Sequence, residues 1–130
     1  MSKARVLVVD DEQNFLELMA ERLKSWDYQV ITAPTAKDAI FLLQQESADI
    51  AILDYVMPDM DGFSLIRQIR QINNNIPIIM FTAHPDVSSI KEAEKAHVRA
   101  FIPKSSEYGD MNISLKAYLD EISREITKKE

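Results

Sequence analysis

Ala48-Asp49-Ile50-Ala51-Ile52-Leu53-Asp54-Tyr55-Val56-Met57-Pro58-Asp59-Met60-Asp61-Gly62 is the stretch that decides how this chain folds. Its apolar run, Ile50 to Leu53, is short and ends in a carboxylate, and the turn residues Pro58 and Gly62 follow. That is the pattern of a buried strand delivering Asp54 to its carboxyl end. In an open α/β sheet, ligands bind in the crevice beyond those strand ends. A second apolar run, Val6 to Val9, ends in Asp10-Asp11. The expectation is that Asp10, Asp11 and Asp54 meet in one crevice.

Outward from these runs the chain alternates between two periods. Arg5 to Val9 is nearly continuous in apolar residues, as in a parallel strand covered on both faces. From Glu12, the residues Phe15, Leu16, Met19, Leu23 and Trp26 recur at helical spacing. Tyr28 to Thr32 reads as a second strand. Thr35 with Asp38 resembles a capping box ahead of a helix whose inner face is Ala36, Ala39, Ile40 and Leu43. Phe63, Leu65, Ile66, Ile69 and Ile72 form a third helix, closed by Asn73-Asn74-Asn75; Asp59 and Asp61 read as turn and capping residues ahead of it. Ile76 to Phe81 gives a fourth strand, finishing at Thr82-Ala83. Val87, Ile90, Ala93 and Ala96 make a weak fourth helical face, and His97, where that helix must end, is expected in a left-handed conformation. Ala100 to Ile102 is a short fifth strand before Pro103-Lys104-Ser105. A last helix from about Asp110 carries Met111, Leu115, Tyr118, Leu119, Ile122 and Ile126 on one stripe that is expected to outrun the domain's cover. Five strands alternating with five helices predict one α/β domain, a doubly wound parallel sheet with right-handed crossovers.

Bulk properties narrow the class. The 130 residues, 46% hydrophobic and 28% charged, fit one globular core rather than a disordered chain. The absence of cysteine excludes a disulfide framework and a thiolate zinc site. No signal-peptide pattern follows Met1, and no apolar run is long enough to cross a bilayer, so a cytoplasmic location without membrane contact is expected. A formal net charge of −6 argues against direct binding to a nucleic-acid backbone.

The strand ends carry the chemistry. Two carboxylates about 4 Å apart repel by about 4 kcal/mol at an effective dielectric of 20, so a cluster of Asp10, Asp11 and Asp54 needs a counter-charge. An all-oxygen, incomplete ligand set suits Mg2+, with Asp11 and Asp54 as side-chain ligands, Asp10 in support and the Val56 carbonyl within reach. Thr82 offers a hydroxyl and Lys104 an ammonium on the same edge. Nucleophile, metal, hydroxyl and cation are what phosphoryl transfer to an aspartate requires, with Asp54 as nucleophile.

Asp10-Asp11, Asp54, Met57 to Gly62, Thr82-Ala83 and Lys104, in this order at successive strand ends, resemble a response-regulator receiver domain of two-component signalling. The resemblance covers almost the whole chain and implies a flavodoxin-like sheet of order 2-1-3-4-5. It also implies that Asp54 takes a phosphoryl group from a histidine kinase or a histidine phosphotransfer protein. Mg2+ would sit at Asp11, Asp54 and the Val56 carbonyl, Thr82 would close on the phosphate, and Phe101 would rotate inward. The fourth helix, fifth strand and fifth helix would then act on a partner or output domain. They, or the C-terminal helix, could also form a homodimer. Such a protein assists its own phosphorylation but is not an enzyme acting on a separate substrate. The receiver is expected over 1–124, with 125–130 a helical extension or the start of a linker.

Certain residues depart from the family's usual pattern. Lys104 is followed by Ser105 rather than proline, Phe101 lacks a tyrosine hydroxyl, and Val56 cannot orient water, which leads to the expectation of a long-lived phosphoaspartate. The competing readings are weaker. A dehalogenase-type hydrolase would need an acid where Val56 stands, and a flavodoxin-like electron carrier would bring an anionic flavin phosphate against Asp10-Asp11-Glu12. A pseudo-receiver that binds partners without phosphorylation is opposed by the intact residue set.

Overall fold

Strict alternation along each strand builds two cores from one sheet. The computed structural model describes residues 4–55, 59–83, 87–104 and 108–129, the side chains at 87–89, 108–110 and 128–129 excepted. In chain order the elements are β1 (Arg5–Val9), α1 (Gln13–Ser25), β2 (Gln29–Ala33), α2 (Ala36–Gln45), β3 (Ile50–Asp54), α3 (Gly62–Ile72), β4 (Ile78–Thr82), α4 (Val87–Lys95), β5 (Ala100–Pro103) and α5 (Tyr108–Lys129). The strands form one parallel sheet in the order β2-β1-β3-β4-β5. Val6, Val8, Ile50, Ile52, Ile79 and Phe81 face α1 and α5, where they meet Leu16, Met19, Leu23, Leu115 and Leu119. Leu7, Val9, Ala51, Leu53, Ile78 and Met80 face the other way, onto Ala39, Leu43, Leu65, Ile66, Ile69 and Ala93 of α2, α3 and α4. Burial on both faces is why these strands read as continuous apolar runs.

Boundaries shift from the sequence reading for identifiable reasons. The fourth strand starts at Ile78, not Ile76, because Pro77 has no N–H for the ladder. Tyr28 precedes β2: its N–H closes the α1 turn on the Leu23 carbonyl, and its hydroxyl donates to Asp120 Oδ1 on α5 at 2.8 Å. Asp27 there has φ 71°, a left-handed conformation that Asp tolerates and the sequence reading missed. His97 does adopt the expected left-handed conformation, φ 58°. Arg70 of α3 holds that turn, donating to the carbonyls of Ile76, Ala96 and His97. The stripe of α5 is better covered than expected, since Ile122 is 1% exposed and Ile126 packs on the same core. Arg99 adds a two-pronged ion pair to Glu125, at 2.7 and 3.1 Å.

Two acids ahead of α3 divide their work. Asp61 caps α3, accepting from the Ser64 N–H at 3.0 Å. Asp59 instead reaches across to the N-terminus of α2, accepting from the N–H groups of Ala36 and Lys37 at 3.3 and 3.2 Å. Gly62 is not needed for an unusual φ. It is buried, its N–H donates to the Tyr55 carbonyl at 2.8 Å, and an added Cβ would lie 3.1 Å from Tyr55 backbone atoms and against the Met80 side chain.

Two stability outcomes follow from this geometry. Gly62→Ala should cost about 1–3 kcal/mol by overpacking, read from the denaturant midpoint. Asp61→Ala should cost about 1 kcal/mol at neutral pH. The backbone bond from Ser64 holds the Asp61 carboxyl below its usual pKa of 3.8, so the cap contributes above that value and is lost as pH falls through the lower folded-state one. Wild type and variant should therefore converge in acid.

Candidate functional site at the carboxyl ends of the strands

The strand order reverses between β1 and β3, and each strand on the β5 side delivers a polar residue to the same edge. Asp10 follows β1, Asp54 ends β3, Thr82 ends β4 and Lys104 follows β5. Asp10, Asp54 and Thr82 are the buried polar side chains among the described residues, at 1%, 7% and 1% exposure. The ladder fixes their spacing: Asp54 is in register with Phe81, Thr82 with Pro103, and the Lys104 N–H donates to the Thr82 carbonyl at 2.6 Å.

Carboxylate oxygens of Asp10, Asp11 and Asp54 lie within 4.8 Å of one another. The Lys104 ammonium faces this group, 2.7 Å from Asp10 Oδ2, 3.2 Å from Glu12 Oε1 and 3.5 Å from Asp54 Oδ2. The Asp10 Oδ1 accepts from the Glu12 N–H at 2.9 Å, which holds Glu12 extended and delays α1 to Gln13. Burial pushes the Asp10 carboxyl up in pKa, although Lys104 and the Glu12 N–H oppose it. Burial also disfavours the Lys104 ammonium, but Asp10 and then Asp54 outweigh it and raise its pKa.

A divalent cation fits these residues. Asp10 Oδ2 is buried without a well-aligned hydrogen bond despite its proximity to Lys104, and three acid side chains offer hard oxygen ligands with no nitrogen or sulfur donor in the group. Such an acidic triad is able to bind metal. Asp11 is the solvent-exposed member of the triad.

Residues 6–116 match the family described as the response regulator receiver domain. The chain belongs to that family. This receiver chain is 36% identical over 110 residues to the probable transcriptional regulator ycf27 of Galdieria sulphuraria, covering 81% of this chain and 43% of that protein. It is 34% identical over 101 residues to the transcriptional regulatory protein GlrR of Escherichia coli K12, covering 78% and 23%. The chain thus spans less than half the length of these curated relatives. Among solved structures, the CheY-like receiver protein of Methanospirillum hungatei superposes with a TM-score of 0.83 at 27% identity, covering 95% of this chain and 99% of that one. The response regulator TrrA of Thermotoga maritima, in complex with Mg(2+)-BeF, gives 0.75 at 28%, covering 92% and 100%.

The receiver fold brings Asp10, Asp11, Asp54 and Lys104 into one cluster and places Thr82 on the adjoining strand end. Phe101 is half-buried on β5, its ring edge-on to Tyr55 with centroids 6.4 Å apart. Val56, Met57, Pro58, His84 and the Lys104–Ser105 bond lie outside the described residues. Sequence reasoning missed Glu12 and Phe15 as neighbours of Lys104; Phe15 had been absorbed into the apolar face of α1, and its ring centroid is 4.3 Å from the ammonium. No helix among the described residues is long and apolar enough to cross a membrane.

Relief of carboxylate repulsion should make the domain's stability depend on Mg2+. At one hundred times its Kd the ion should add about 2.7 kcal/mol, seen as a rise in the thermal midpoint. Asp11→Ala or Asp54→Ala should largely abolish that rise.

Proposed function

We propose that this receiver is a phosphoacceptor switch in which Asp54 takes a phosphoryl group from a histidine kinase or histidine phosphotransfer protein. The observation that carries the reading is the nearly buried Asp54 carboxylate, 3.5 Å from the Lys104 ammonium and grouped with Asp10 and Asp11. An Asp54 oxygen attacks phosphorus; the P–N bond of the phosphohistidine breaks as the O–P bond forms, and the released imidazole nitrogen takes up a proton. Lys104 and the Thr82 hydroxyl serve the phosphoryl oxygens. Asp11, Asp54 and the Val56 carbonyl would hold Mg2+, with Asp10 in support, and the ion supplies charge neutralisation for the transferring group. The domain promotes its own modification and is not an enzyme with a separate substrate.

The added charge recruits Thr82 and Lys104, and Phe101 follows inward. A shift from 1:99 to 99:1 between two states takes about 5.5 kcal/mol of differential interaction. The output face is α4-β5-α5, read by a partner, a homodimer mate or an output domain after residues 125–130. The similarity to proteins named as transcriptional regulators supports the last of these. A cytoplasmic setting suits the phosphohistidine donor.

Incubation with acetyl phosphate and Mg2+ should add one phosphoryl group by intact-mass spectrometry, absent in Asp54→Ala. A wild-type chain that gains none would overturn the proposal in favour of a phosphorylation-independent module.

A further inference from the structure

Beside the carboxylates that face Lys104 stands an aromatic ring, that of Phe15. Phe15, on the first turn of α1, is half-buried while Leu16, Met19 and Leu23 of the same helix are fully so. Its ring stands edge-on against Phe81, centroids 5.8 Å apart at 75°, and Phe81 is the register partner of Asp54. Phe81 is 1% exposed, so the wall behind Phe15 is core. The ring's other contact of note is the Lys104 ammonium, 4.3 Å from its centroid.

A lysine stem is flexible and its ammonium is a point charge, so its position is set by what surrounds the head group. Here Asp10 is nearest at 2.7 Å and Asp54 lies at 3.5 Å. A phosphoryl group on Asp54 would offer the ammonium an oxygen that competes with Asp10 for it. A carboxylate guide would compete with that oxygen. Glu12, whose side chain is 66% exposed, is too well solvated to fix the head group. An aromatic face attracts the cation through its quadrupole without demanding one hydrogen-bond direction. The ring therefore holds the ammonium without fixing which oxygen it bonds.

We propose that Phe15 is a positioning residue of this site, its ring face keeping the Lys104 ammonium within reach of Asp54 as its oxygen partner changes. The proposal rests on Asp54 being the phosphoacceptor. The test is the affinity of the full chain for beryllium fluoride with Mg2+, an inert stand-in for a phosphoryl group on a carboxylate. Phe15→Leu should weaken it about fivefold, the scale of a cation–π contact, and leave the affinity for Mg2+ alone unchanged. Phe15→Tyr, which keeps the ring, should restore it. Pentafluorophenylalanine at position 15, which keeps the shape and inverts the quadrupole, should reproduce the loss without a cavity. In a Lys104→Ala background, Phe15→Leu should have no further effect. Equal losses in both backgrounds, or no loss with the fluorinated ring, would overturn the role of Phe15 and leave Asp54 as acceptor. A wild-type chain that bound no beryllium fluoride would overturn the acceptor reading, and this proposal with it.

Discussion

Three carboxylates share a corner of the sheet where β1 and β3 run side by side, and the rest of the site is arranged around their mutual repulsion. Asp10 and Asp54 are buried by the same packing that makes β1 and β3 central, so water can relieve little of the cost. Relief comes from Lys104, carried from two strands away on β5 and tied to β4 by its N–H bond to Thr82. The balance is local and unsaturated: one ammonium faces Asp10, Asp54 and Glu12. Any charge entering this corner would alter the forces on the lysine. Position and charge state are therefore coupled at the strand ends.

The two helices beside β5 are held unequally. Met111, Leu115, Leu119 and Ile122 bury α5 against the sheet, and Tyr28–Asp120 and Arg99–Glu125 pin its outer face. The described side chains of α4 bury little beyond Ala93, while Ile90 is 41% exposed. Its firmest described tie is Arg70, which grips the carbonyls of the turn that follows it. Burial scales with apolar area, so α4 has the least to lose by moving.

Most of the fold was legible because its signals are local. Continuous apolar runs buried on both faces, helical spacing of Leu16, Met19 and Leu23, and the break at Asn73 to Asn75 each act over a few residues. The site residues were legible for the same reason, since Asp10, Asp54, Thr82 and Lys104 each mark the end of a strand. What escaped was long-range pairing. Asp59 was assigned to the helix after it but caps α2, 23 residues back. Arg70, on which the sequence reading placed nothing, clamps two turns. Ile122 looked stranded on an overlong stripe, because cover from the sheet cannot be read from one helix.

By itself, then, the sequence determined the alternation of strands and helices, the acidic cluster and the receiver family, because residue type and spacing encode local backbone preference and donor chemistry. Only the tertiary structure decided that Lys104 rests between Asp10 and Asp54 on the face of Phe15. Lys104 lies 50 to 94 positions from those three residues, at separations no periodicity links, and parallel crossovers set the distances in space. Distances of a few ångströms determine whether such charges repel, pair or react, and they exist only once the sheet has formed.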